Sequence, residues 1–268
     1  MIAIAHRLAL FLGVFCSANA FAAHSDWAPA DQAQMRLLLA APQDGKLEGG
    51  VELVLDPGWH TYWRNPGEAG IPPRFDFSQS TNVASVDVLY PAPERYDDGS
   101  GVSLIYRDEV VFPLVVKPER PGETVVLRVR AEFGICSEVC IPTNAESELE
   151  APAEPRADPL TDARLTQFRA RVPTAPDPGR FDIEAVTASA DALLIDVRTP
   201  DSSYIDLFAE PPPDWYIGQP VLVSRQAGMA RYSLSLAGRP EGVATTGKTF
   251  RFVAVAGGEA IEKPIEIR

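Results

Sequence analysis

Cys136 and Cys140 are the residues of this sequence best suited to do chemistry, in the run Ala131-Glu-Phe-Gly-Ile-Cys136-Ser-Glu-Val-Cys140-Ile-Pro-Thr143. The third cysteine, Cys16, sits in an apolar run behind His6 and Arg7 that reads as a secretory signal. Fully extended, residues four apart are separated by about 13 Å. A disulfide needs Cα atoms within about 7 Å, so pairing requires the chain to fold back between Gly134 and Pro142. A bridge closing so short a loop removes little entropy from the unfolded chain, about 2 kcal/mol. That is a weak reason to keep it as a brace, and a short loop suits a bond that opens and closes.

Two other chemistries are open to these residues. Two thiolates with His60 would suit a soft metal such as Cu(I) or Zn(II), although the spacing is not C-x-x-C and there is no second pair. A Cys-His hydrolase would need an orienting acid and an oxyanion hole, and the sequence specifies neither. Glu132 and Glu138 flank the cysteines with no close Lys or Arg, a setting that raises a thiol pKa.

Two further segments carry candidate site residues. Gly58-Trp-His60-Thr-Tyr62-Trp63-Arg-Asn-Pro-Gly67 reads as a half-buried strand in which Trp59 and Trp63 cement a core. His60 and Tyr62 share the opposite face by the period of two, and either pack or line a reactive site. Glu94-Arg-Tyr96-Asp97-Asp98-Gly-Ser-Gly101 reads as an acidic hairpin tip, either a solvated loop or a lid.

The elements that must position these residues are strands. The expected ones are 36–40, 48–55, 85–89, 110–116 and 124–132, separated by Asp56-Pro57-Gly58, Asn65-Pro66-Gly67, Asp98-Gly99 and Pro121-Gly122 turns. Six prolines between 152 and 178 mark a linker, 152–180, around one short helix with Leu165, Phe168 and Val172 on a face and Asp158 or Thr161 as cap. From Phe181 onward seven more strands are expected: 181–187, 193–197, 205–209, 221–224, 231–236, 249–255 and 261–267. The fold class is therefore mostly β, with a signal at 1–23, a sandwich at 24–151 and a second sandwich at 181–268. The second half holds no Cys or His and reads as structural or docking.

Composition limits the partners. With 24 Lys and Arg against 37 Asp and Glu, the net charge of −13 opposes a phosphate backbone, so no nucleic acid is expected. After the signal, no stretch approaches the roughly 20 apolar residues of a spanning helix, so no membrane span is expected. The predicted compartment is oxidising and outside the cytoplasm.

Gly58-Trp-His-Thr-Tyr-Trp63, Leu104-Ile-Tyr106-Arg107-Asp108 leading into Val111-Phe-Pro-Leu-Val115, and Gly134-Ile-Cys136…Cys140-Ile-Pro142 occur in that order. Together they resemble the amino-terminal periplasmic domain of the thiol:disulfide interchange protein DsbD and the related ScsB group, over about residues 30 to 150. The resemblance implies an immunoglobulin-like sandwich in which Cys140 is the nucleophile that forms mixed disulfides and Cys136 resolves them. It places His60 and Tyr62 beside the disulfide and a shielding cap at Tyr96, Asp97 and Asp98. It implies a periplasmic protein-disulfide reductase, of the kind used in cytochrome c biogenesis, that needs no metal and no organic cofactor. Its partners would be a membrane electron transporter of the DsbD/CcdA type and oxidised periplasmic thiol proteins. The family's membrane and thioredoxin-like domains have no counterpart here, so the electrons are expected from a separate protein. Three residues separate the cysteines, fewer than in the best-known members, and His60 stands where the family has a phenol. Rival readings are a non-catalytic binding module or chaperone with a structural disulfide, and a copper-handling protein using Cys136, Cys140 and His60.

Overall fold

The computed structural model describes residues 23–40, 46–97, 99, 101–153, 158–200, 204–226 and 228–268. The segment read as a signal, with Cys16, lies outside these residues apart from Ala23, and so does Asp98. Short alternating segments ended by Gly, Pro and Asp build the first half as β1 (Ala28–Ala30), β2 (Ala33–Leu39), β3 (Leu47–Leu55), β4 (His60–Gly67), β5 (Arg74–Asp76), β6 (Val83–Val88), β7 (Glu94–Asp97), β8 (Val102–Arg107), β9 (Glu109–Pro118), β10 (Val125–Cys136) and β11 (Cys140–Ala151). One sheet runs β1-β2-β3-β9-β6 and the other β11-β10-β4-β8-β7, with β5 added on β10. Their inner faces bury Met35, Leu53, Trp63, Phe112, Leu127 and Phe133 in a common core. The expected strands of this half all form, although 85–89 begins earlier, at Val83, and 36–40 begins at Ala33.

The proline-rich segment holds α1 (Pro159–Arg169), and the helix belongs to the first sandwich. Asp158 caps it, accepting from the Thr161 N–H at 3.2 Å and hydroxyl at 2.7 Å, and Pro159 opens the first turn without a donor to satisfy. Leu165 and Phe168 enter the first core, whereas Val172 lies beyond the helix end. Arg164 fixes the polar side: it donates to Glu52 at 2.7 Å and to Glu109 at 2.8 Å, and Arg36 reaches the same nearly buried Glu52 at 2.6 Å. Hydrogen bonding from Arg164 holds the Glu109 carboxyl below the ordinary glutamate range, against the opposing effect of burial.

The second half forms β12 (Asp182–Ala188), β13 (Ala192–Arg198), β14 (Ile205–Glu210), β15 (Val221–Gln226), β16 (Met229–Ser235), β17 (Thr249–Ala256) and β18 (Glu259–Glu266). Sheet β12-β13-β16-β15 packs on sheet β14-β17-β18 around Phe181, Ile195, Trp215, Tyr232, Phe250 and Phe252. The three-stranded sheet is covered on both faces. Leu207, Ala209 and Phe252 point into the second core, while Phe208 and Val253 point into the first, where Phe208 meets Trp63 with ring centroids 6.4 Å apart. Such a sheet needs near-continuous apolar runs, as in Leu207-Phe-Ala209 and Phe252-Val-Ala-Val-Ala256. Arg64 closes the joint through Glu210, at 2.9 Å, and Glu262. Among the described residues the fold is thus mostly β, two sandwiches and one helix.

Candidate active site

Cys136 ends β10 and Cys140 begins β11, so the cysteines face each other at the mouth of a hairpin whose ladder pairs Val125–Cys136 with Cys140–Ala151. Their Cα atoms are 4.1 Å apart and a disulfide joins them. The loop Ser137-Glu138-Val139 carries the chain around, and Val139 is 62% exposed. The two sulfurs differ in access: Cys136 is 7% exposed and packed, whereas Cys140 is exposed. An incoming thiolate therefore meets Cys140 first.

Strand register sets the neighbours. Cys140 opposes Cys136, Cys136 opposes His60, and His60 opposes Arg107, so the four form one row across β11, β10, β4 and β8. His60 is 4% exposed, its ring 5.5 Å from that of Tyr62 in an edge contact and 5.1 Å from that of Tyr96. The backbone seam between β4 and β10 is short, and the buried Thr61 hydroxyl reinforces it by donating to the Gly134 carbonyl at 2.8 Å.

Tyr62 lies two residues along β4, opposite Ile105 and on the same face as His60, and its phenol oxygen lies 3.3 Å from Cys140 Sγ. A disulfide sulfur has no proton to give, so the phenol donates. Two glycines make room for the ring. A β-carbon at Gly70 would stand 2.3 Å from Tyr62 Cε1, and one at Gly134 would stand 3.2 Å from Cε2 and 2.7 Å from Ile71 Cβ. Gly70 also has φ +128°, a conformation that side chains rarely adopt. Tyr62, Ile105 and Cys136 form a small apolar cluster separate from the main core, and Tyr96 packs against it.

Tyr96 lies on β7, at the edge of the sheet, half-buried under the Arg107 guanidinium, which sits 4.7 Å from the ring centroid. Arg107 also approaches Glu94 at 3.7 Å. Asp97 is exposed and serves the turn, its Oδ1 accepting from Gly99 N–H at 2.8 Å. The structure thus gathers Cys136, Cys140, His60, Tyr62 and Tyr96 and leaves Asp97 in solvent. Sequence reasoning placed Arg107 in a motif without assigning it to the site, and missed Gly70. Arg107 is found only by pairing β8 with β4 in register, and Gly70 is remote from the cysteines in sequence.

With both sulfurs in a disulfide, Cys136, Cys140 and His60 cannot ligate a metal together in this state. Among the described residues no group of three or more His, Cys, Asp or Glu side chains is arranged to hold a metal ion. No helix among them is long and apolar enough to cross a membrane. The chemistry that the cluster supports is thiol-disulfide exchange at the Cys136–Cys140 bond.

Comparison with known proteins agrees with the geometry. A solved structure described as the N-terminal periplasmic domain of ScsB from Proteus mirabilis superposes with a TM-score of 0.73 at 26% identity, covering 91% of this chain and 98% of that one. A marsupial T cell receptor matches at a TM-score of 0.25 and 9% identity, too distant to carry an argument. No curated protein matches the chain. The family model described as thiol:disulfide interchange protein DsbD, N-terminal, matches residues 25–152, a span that holds both cysteines, His60, Tyr62 and Tyr96. Over those residues the chain is thus similar to the N-terminal domain of the thiol:disulfide interchange protein DsbD, and the Cys136–Cys140 disulfide lies within the matched span.

Proposed function

We propose that the chain works in the periplasm as a dithiol-disulfide relay, taking electrons from a membrane transporter of the DsbD/CcdA type and passing them to oxidised periplasmic proteins. The observation that carries this reading is the asymmetry of the pair: Cys140 is exposed with a phenol donor at 3.3 Å, and Cys136 is packed beneath it. In the first half-reaction a transporter thiolate attacks Cys140 Sγ and Cys136 leaves as a thiolate. The transporter's second thiolate then releases Cys140, so two electrons have moved inward. In the second half-reaction the Cys140 thiolate attacks a substrate disulfide, and Cys136 attacks Cys140 in turn. The original bond re-forms and the substrate departs as a dithiol.

The phenol of Tyr62 serves the reduced state more than the oxidised one, because a thiolate accepts a far stronger hydrogen bond than a disulfide sulfur. Tyr96 covers the Cys136 side of the disulfide until a partner displaces it, and its packing on the Tyr62–Ile105–Cys136 cluster supports that role. A signal peptide at 1–23 would deliver the chain. The sandwiches span 24–151 and 181–268, and the 152–180 segment between them lays its helix on the first.

A bracing disulfide is the weaker reading. The β10–β11 ladder already pairs every residue from Val125 to Cys136, and a five-residue closure would add only about 2 kcal/mol. The equilibrium reduction potential of Cys136–Cys140, measured against glutathione or dithiothreitol, tests the choice. A value between about −180 and −270 mV supports the relay, and one below about −300 mV rejects it for a structural bridge.

A further inference from the structure

We propose that the second sandwich governs how readily the hairpin that packs on the Cys136 side of the disulfide opens, and that Arg95 is the positioning residue through which it does so. The inference rests on the shielding role given above to Tyr96. Strand β7 is an edge strand, hydrogen-bonded on one side only, to β8, and such a strand is the part of a sheet that peels at least cost. Its base is pinned within the first half, where the Tyr106 hydroxyl donates to the Pro91 carbonyl at 2.7 Å and Ala92 N–H to the Arg171 carbonyl at 2.9 Å. Its middle is held from outside that half.

Arg95 donates through Nε and Nη2 to both oxygens of Asp206, at 2.9 and 2.8 Å. The same Nη2 reaches the carbonyls of Leu207 at 3.0 Å and Pro220 at 3.2 Å, and the guanidinium lies 5.6 Å from the Phe208 ring centroid. The pair is largely shielded, with side-chain exposures of 25% and 13%, and Leu207 N–H orients the carboxylate at 2.8 Å. Bidentate geometry with low exposure separates this contact from a surface ion pair of negligible strength. The other arm of the hairpin is buttressed as well. Val102 N–H donates to Glu68 Oε2 at 2.7 Å, and Gly218 of the second sandwich sits so close that a β-carbon there would stand 3.2 Å from Glu68 Oε1.

Alternation couples this clamp to the site. Adjacent strand residues point to opposite faces, so Arg95 faces the second sandwich while Tyr96 faces His60 and Cys136. Fixing the Arg95 side chain fixes the backbone that carries the Tyr96 ring. A half of the chain with no cysteine and no histidine thereby acquires a part in exchange: it sets the fraction of time for which the disulfide is uncovered on its Cys136 side.

The test uses the oxidised full chain and the rate at which dithiothreitol attacks Cys136–Cys140, read by alkylation of the freed thiols. Arg95→Ala and Asp206→Asn should each raise that rate about tenfold, the scale of a lost hydrogen-bonded ion pair. Arg64→Ala, which loosens the other ionic joint between the sandwiches, should leave it unchanged. Thermal unfolding establishes that each variant is folded at the assay temperature, and Asp206→Asn keeps its shape should Arg95→Ala fail to fold. Tyr96→Ala separates the two layers of argument. If Tyr96→Ala is fast while Arg95→Ala and Asp206→Asn match wild type, the clamp is overturned and the shield stands. If Tyr96→Ala also matches wild type, the shield falls. An Arg64→Ala rate as high as that of Arg95→Ala would overturn the clamp in favour of general loosening.

Discussion

The phenol oxygen of Tyr62 lies 3.3 Å from Cys140 Sγ, across a strand where Gly134 leaves space for the ring. Once the bond is reduced, that phenol donates to a thiolate, and a hydrogen bond to a charged group is worth about 1.5 kcal/mol or more. Tyr62→Phe should therefore raise the Cys140 thiol pKa by about one unit. The dithiol loses its stabilisation, so the couple should become more reducing, by about 30 mV. A pH titration of alkylation rate and a glutathione redox series measure the two shifts together.

Gly70→Ala tests the same geometry from the other side of the ring. The added methyl group meets the Tyr62 ring at 2.3 Å on a backbone with φ +128°. Overpacking and the disfavoured conformation should cost about 1–3 kcal/mol in denaturant unfolding. The displaced ring should also bring the alkylation profile of Cys140 close to that of Tyr62→Phe.

The access difference between the cysteines predicts asymmetric trapping. Cys136→Ala leaves an exposed Cys140 with no resolving thiol and should accumulate mixed disulfides with partner proteins in the periplasm. Cys140→Ala leaves only the packed Cys136 and should trap little. Non-reducing electrophoresis of acid-quenched cells distinguishes them, and equal trapping would remove the assigned order of attack.

The attachment of α1 should respond to mutation and to acid. Leu165→Ala empties a site in the first core and should cost about 2–5 kcal/mol. The Glu109 carboxyl titrates below its unfolded value because Arg164 donates to it. Its contribution is therefore present above the unfolded glutamate pKa, about 4.3, and is lost as the pH falls through the lower folded value. The stability gap between wild type and Glu109→Gln should accordingly narrow on acidification, followed by urea unfolding from neutral pH downward.

Much of this architecture was legible in the sequence because its signals are local. All seven strands of the second half form where alternation and turn residues put them, and Asp158 and Pro159 mark the start of the helix. Strand β11 was not foreseen. Of its buried residues, Thr143, Ala145, Leu149 and Ala151, only Leu149 is large and apolar, and they alternate with the exposed Asn144, Glu146, Glu148 and Glu150, which weakens the apolar signal. At the site, the cysteine pair and the His60–Tyr62 face could be read from spacing and period. Arg107 and the Gly70–Gly134 gap could not, since both depend on strands far apart in sequence being brought into register.

Phe208 and Val253 sit in the core of the first sandwich although their own strands build the second. The second half therefore carries part of the first half's interior, and the two must drift together through evolution. A change at Trp63 calls for an answering change at Phe208, as between residues of one core. Chimeras that graft the second half of one relative onto the first half of another should fold poorly unless that seam is transplanted with it.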